Sequence, residues 1–132
     1  MGTSPVSRSD RVGVLRNNRI PASAGMFRTR PDWDETMAIA YLTLELRIEN
    51  AHSLKDKRQV VRSLKDKLRA SFNVSVAEIE NLDLWQLATI GVVSISDSRD
   101  YLEGLMRNVE SAATRIANNA GADVTDSFLD FV

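Results

Sequence analysis

Between residues 38 and 49 apolar and polar side chains alternate without a break, and a few residues later the period changes from 2 to 3.6. Ala40, Leu42, Leu44, Leu46 and Ile48 fall on one side, and Tyr41, Thr43, Glu45, Arg47 and Glu49 on the other. That pattern is a strand with one dry face. Asn50, Ala51 and His52 turn the chain. Ser53 then stands three residues before Asp56, the spacing of a capping box with an acid in the reciprocal position. The following residues place Leu54, Val60, Val61, Leu64 and Leu68 on one arc of a helix that ends near Ala70 or Ser71. A one-sided strand and a one-sided helix so close together can dry both apolar faces only by packing on each other, so the unit predicts a two-layer domain.

The remainder repeats this logic in a different order. Residues 72–80 alternate, with Phe72, Val74 and Val76 on one side; Ile79 falls on the Asn73 side, so the pattern weakens there. Residues 81–85 break the period and predict a connection with room for one helical turn. Residues 87–96 are rich in Thr89, Ile90, Val92, Val93 and Ile95 and predict an interior strand. Gly91 in its middle predicts close approach by another backbone, or a bulge. Asp97, with Asp100 three residues on, predicts the cap of a second helix that runs to Asn118 or Asn119, with Gly121 as its stop. Residues 122–132 predict an edge strand whose Asp123, Asp126 and Asp130 discourage edge-to-edge pairing. The order is βαββαβ. With right-handed crossovers it gives an α+β, ferredoxin-like arrangement: a four-stranded antiparallel sheet, its first and third strands central, with two helices on one face and the other face uncovered. A chain of 132 residues with 43% hydrophobic content has material for one such core and no second.

Residues 1–36 have a different composition. They hold all three prolines and three of the six glycines, and their basic residues are all arginine: Arg8, Arg11, Arg16, Arg19, Arg28 and Arg30. No apolar period persists, so they read as a disordered N-terminal extension, with the folded domain spanning 37–132. A solvated tail, a gene start placed upstream of a natural start at Met37, and a transit peptide are the competing accounts. Asp32, Asp34 and Glu35 count against the last.

Composition narrows the chemistry. The absence of cysteine removes disulfides, thiolate nucleophiles and sulfur-ligated metals, and a single histidine, His52, leaves no imidazole cluster. His52 reads as a turn residue. Glu78 and Glu80 alternate onto one strand face without a third ligand, so no metal and no cofactor is expected. No apolar run is long enough to span a membrane, no phosphate-loop, dinucleotide or nucleophile motif is present, and the expected protein is a cytoplasmic non-enzyme.

The first helix stands out by charge. Residues 53–69 carry seven basic and two acidic side chains, a local charge of +5 in a chain whose formal total is −1. Lys55, Arg58, Arg62, Lys65 and Arg69 follow steps of 3, 4, 3 and 4, a stripe about 80° wide beside the apolar arc. It reads as a solvated face or as a contact for a phosphate backbone. Lys57 shares the angle of Val60, Val61 and Leu64. Its stem either covers apolar surface while the ammonium reaches water, or it forms a buried or interfacial ion pair with Glu45 or Glu78. Trp85 and Tyr41 would stack bases if they lay on the open sheet face. No paired aromatic pattern supports this, so Trp85 is expected in packing or in a dimer interface. The open face, with Thr43, Thr89, Gly91 and Val93, suits burial by a partner.

Residues 53–58 (SLKDKR), 72–78 (FNVSVAE) and 83–86 (DLWQ) together resemble the YlxP-like family of small bacterial proteins, the domain-of-unknown-function family numbered 503. The resemblance runs from about Met37 to Val132. It implies a ferredoxin-like fold and a tendency to form homodimers. Genes of the family often lie beside those for translation initiation and small-subunit maturation, which implies a partner in ribosomal RNA or ribosome assembly intermediates. No catalytic residues come with the resemblance. The leading expectation is a ribosome- or RNA-associated factor that uses its basic helix. The alternative is a protein-interaction or small-ligand module that dimerises through its sheet.

Overall fold

The structure, a computed structural model, describes residues 37–132; the expected extension at 1–36 lies outside the described residues. Strand β1 (Ala38–Arg47) leads into helix α1 (Leu54–Ser71) and strand β2 (Ser75–Glu80). Strand β3 (Leu87–Ser96), helix α2 (Arg99–Asn119) and strand β4 (Asp123–Phe131) follow. The sheet order is β2-β3-β1-β4 and every pair is antiparallel, so the first and third strands are central, as the alternation predicts.

Register explains the core. Leu42 pairs with Val92, Leu44 with Ile90 and Leu46 with Ala88, so one face of β1 and β3 is apolar throughout. That face meets Val61, Leu64 and Leu68 of α1 and Leu102, Met106 and Val109 of α2 in one buried cluster. Helix α2 packs over β1 and β4, and α1 over β2. The cap forms, with its reciprocal half shifted by one residue: Ser53 Oγ accepts from Asp56 N at 3.1 Å, and Asp56 Oδ2 accepts from His52 N, the residue before the cap, at 2.9 Å. These bonds satisfy backbone donors ahead of and within the first turn.

Four local expectations change. Helix α2 is capped by Ser98, not Asp97: Ser98 Oγ accepts from Tyr101 N at 3.1 Å, while Asp97 stays in the approach to the helix. Strand β2 begins at Ser75 and not at residue 72; Phe72 and Val74 still pack against the core, but the ladder to β3 opens only at Ser75 opposite Val93. The register of β2 shifts between Glu78 and Glu80, which is why the alternation weakens at Ile79. That shift also separates the two glutamates, since Glu78 pairs with core-facing Ile90 and Glu80 with open-face Thr89. Gly91, finally, is crowded by side chains rather than by backbone: a Cβ there would meet Ile79 Cγ2 and Tyr41 Cε1, each at 3.2 Å. Gly121 has φ +82°, the left-handed stop its position after α2 predicts.

Candidate functional site

The 3, 4, 3, 4 spacing of the basic residues does what helical geometry requires. Arg58, Arg62, Lys65 and Arg69 line one groove of about 350 Å³, with Val61 at its base, Asp66 on the helix side, and Glu78 of β2 on the wall opposite. Lys55, one turn earlier, is exposed but does not line it. The structure therefore brings four of the five stripe residues together and leaves the fifth at the helix start.

The two carboxylates in the groove are each already matched. Arg69 Nη2 lies 2.8 Å from Asp66 Oδ1, and Lys57 Nζ lies 2.7 Å from Glu78 Oε2. Arg58, Arg62 and Lys65 form no ion pair within 4.0 Å among the described residues. Three like charges on successive turns of one helix repel, and the groove's two carboxylates are paired with Arg69 and Lys57 rather than with these three. The groove thus holds unspent positive charge.

Lys57 is the buried counterpart of this exposed charge. Its side chain is 1% exposed, so the ammonium does not reach water, and of the two sequence readings the ion pair is the one that forms, with Glu78. Glu45 is excluded because it lies on β1's open face, away from the helices. The Glu78 contact is close but off the angle of a directed hydrogen bond. Directed bonds run instead to the carbonyls of Asn81 and Leu84, at 2.5 and 2.7 Å. An ammonium has three donors, and this one meets three oxygens.

The result is a pinned loop. Residues 81–86 fold into a turn closed by Leu84 N donating to Asn81 O at 3.1 Å, with Asn81 in the left-handed region at φ 63°. Asn81 Nδ2 donates to Thr89 Oγ1 at 2.9 Å, and Gln86 Nε2 donates to Glu49 O at 2.9 Å. The expected helical turn is absent. Sequence reasoning overlooked Asn81 and Gln86; the available signal was an Asn directly after a strand, the residue type that tolerates left-handed backbone. Trp85 sits on this loop, off the sheet and 51% exposed, together with exposed Leu82 and Leu84 and beside exposed Leu87 at the start of β3. It is neither packed in the core nor placed on the sheet face for base stacking.

The open sheet face carries the expected Thr43, Thr89, Gly91 and Val93, but they differ in exposure. Thr43, Thr89 and Gly91 are buried there, and the exposed apolar surface lies farther along, at Ile39, Val93 and Ile95. Ile39 and Ile95 are direct cross-strand partners, and Val93 pairs with Tyr41. Among the described residues no three of His, Asp or Glu come together as a metal-binding group, and no helix is long and apolar enough to cross a membrane.

Two helices on one face of a β2-β3-β1-β4 antiparallel sheet, with a basic groove at one edge, define a ferredoxin-like α+β module. Within that class the chain belongs to the family described as protein of unknown function (DUF503), whose model matches residues 39–127. Over 71 residues it is 35% identical to the uncharacterized protein YlxP of Bacillus subtilis (strain 168), covering 54% of this chain and 77% of that one. Among solved structures it is similar to a dimeric protein of unknown function and ferredoxin-like fold from Bacteroides fragilis. The TM-score is 0.50 and the identity 17%, over 74% of this chain and 95% of that one. A dimeric ferredoxin-like protein of unknown function from Thermobifida fusca gives a TM-score of 0.43 and 17% identity, over 80% and 98% of the two chains.

Proposed function

We propose that this chain is a non-enzymatic, cytoplasmic RNA-contacting protein that acts on ribosomal RNA or ribosome assembly intermediates. The observation that carries the reading is the gathering of Arg58, Arg62, Lys65 and Arg69 into one groove with three of the four lacking an ion-pair partner among the described residues. Guanidinium groups spaced by one helical turn suit successive phosphate oxygens, and each contact releases condensed counterions. The test is a pull-down from cells with the intact chain and with Lys55, Arg58 and Arg62 reversed to Glu, before and after nuclease. Recovery of ribosomal RNA by the intact chain alone, lost on nuclease treatment, is the expected result. Equal recovery by both chains removes the electrostatic reading.

A second reading concerns the face behind the sheet and is compatible with the first. Ile39, Val93 and Ile95 form a contiguous exposed apolar patch on the face opposite α1 and α2. Burial of that patch against a second copy would give a homodimer that leaves both basic grooves on its outer layers; the Bacteroides fragilis protein of the same fold is also dimeric. If the grooves are merely solvated, the sheet face alone makes this a protein-interaction or small-ligand module. Charge reversal in the groove would then leave every partner bound.

A further inference from the structure

Of the two carboxylates in the groove, Asp66 belongs to the helix that carries the cations and is paired with Arg69, whereas Glu78 comes from the sheet. Glu78 faces the four cations from the opposite wall, with 15% of its side chain exposed. A carboxylate repels phosphate, and if neutralising Lys57 were its whole role, no part of it would need to face the groove. An ionised carboxylate offers about four lone-pair sites over two oxygens, and the Lys57 ammonium engages it through Oε2. The remaining acceptor capacity is held in place by a lysine that is itself fixed to the carbonyls of Asn81 and Leu84. The groove is therefore two-signed by construction, with anion-binding guanidiniums along the helix and a pinned hydrogen-bond acceptor along the strand.

From this, and resting on the RNA reading above, we propose that the groove reads the ribose–phosphate backbone of RNA, with Glu78 accepting a hydrogen bond from a ribose 2′-hydroxyl while Arg58, Arg62 and Lys65 hold the flanking phosphates. The ligand that fits must carry negative charge and a hydrogen-bond donor within one groove's width. RNA presents both in every nucleotide, and DNA lacks the sugar donor. No base identity enters, so the site discriminates RNA from DNA without reading sequence.

The test uses the full chain and three oligonucleotides of equal length: oligo(U), oligo(dU) and 2′-O-methyl oligo(U). The bases and phosphates are closely matched, and only the first carries the donor. The wild-type chain is expected to bind oligo(U) about tenfold more tightly than either analogue, the scale of one hydrogen bond to a charged acceptor. In a Lys57→Met/Glu78→Leu variant, which removes the carboxylate without leaving a buried cation unpaired, all three should bind alike. Equal wild-type affinity for the three overturns the role of Glu78 while leaving the phosphate contacts standing, as does a preference for oligo(U) that survives in the double variant. Absence of binding to any of them, at low salt, overturns the underlying RNA reading as well.

Discussion

Lys57 shows how one residue can be misjudged from its helical angle alone. The angle correctly places it among Val60, Val61 and Leu64, yet the ordinary fate of such a lysine is to extend its tip to water. Here the tip finds three oxygens first, and two of them are main-chain carbonyls that no side-chain pattern can reveal. Met is nearly isosteric with the lysine stem, so Lys57→Met isolates the lost polar contacts. We expect a destabilisation on the order of 3 kcal/mol, because Glu78 and two carbonyls lose their partner together; denaturant melts measure it. Adding Glu78→Leu should recover part of that loss, and a double-mutant cycle reads the recovery as coupling. Gly91 is a second single-residue case. A strand glycine announces crowding, but only the shifted register of β2 shows that Ile79 and Tyr41 are what crowd it. Gly91→Val should cost about 1–3 kcal/mol through overpacking, visible as a lowered melting temperature.

At the level of elements, the legible parts are those governed by local rules. Helix α1 starts and stops where its cap and apolar arc say, because Ser53 and Asp56 satisfy the orphan donors within the sequence itself. Strand β1 is legible because its faces are settled by period alone, and β3 because a short β-branched run apolar on both faces belongs in a sheet interior. Helix α2 misleads by one residue, since Asp97 and Ser98 are both good caps and the choice depends on how Ser96 Oγ accepts from Ser98 N at the strand end. The two caps separate by mutation: Ser98→Ala should lower stability by about 1 kcal/mol, whereas Asp97→Ala should be near neutral. The loop at residues 81–86 was illegible for a different reason. Its conformation is imposed by Lys57 and Gln86, whose contacts are 24 to 37 residues distant in the chain, so no local pattern encodes it.

For the whole molecule, topology was readable because each strand has one apolar face and the connections permit few arrangements. The stripe was readable as a spacing, but its opposite wall was not, since the groove closes only when β2 is laid beside α1. The sheet face opposite α1 and α2 makes its own prediction. On the homodimer proposal, Val93→Glu together with Ile95→Glu should give a monomer in sedimentation without unfolding it, because both side chains are exposed, by 37% and 55%. The central claim is that unpaired groove cations bind an RNA backbone, and a salt titration of binding to a single-stranded ribosomal RNA fragment tests it most directly. With three phosphate contacts, log affinity should fall against log salt with a slope of about −2, reduced to about −0.7 when Arg58 and Arg62 become Gln. A flat dependence, or one that the two substitutions leave unchanged, would contradict it.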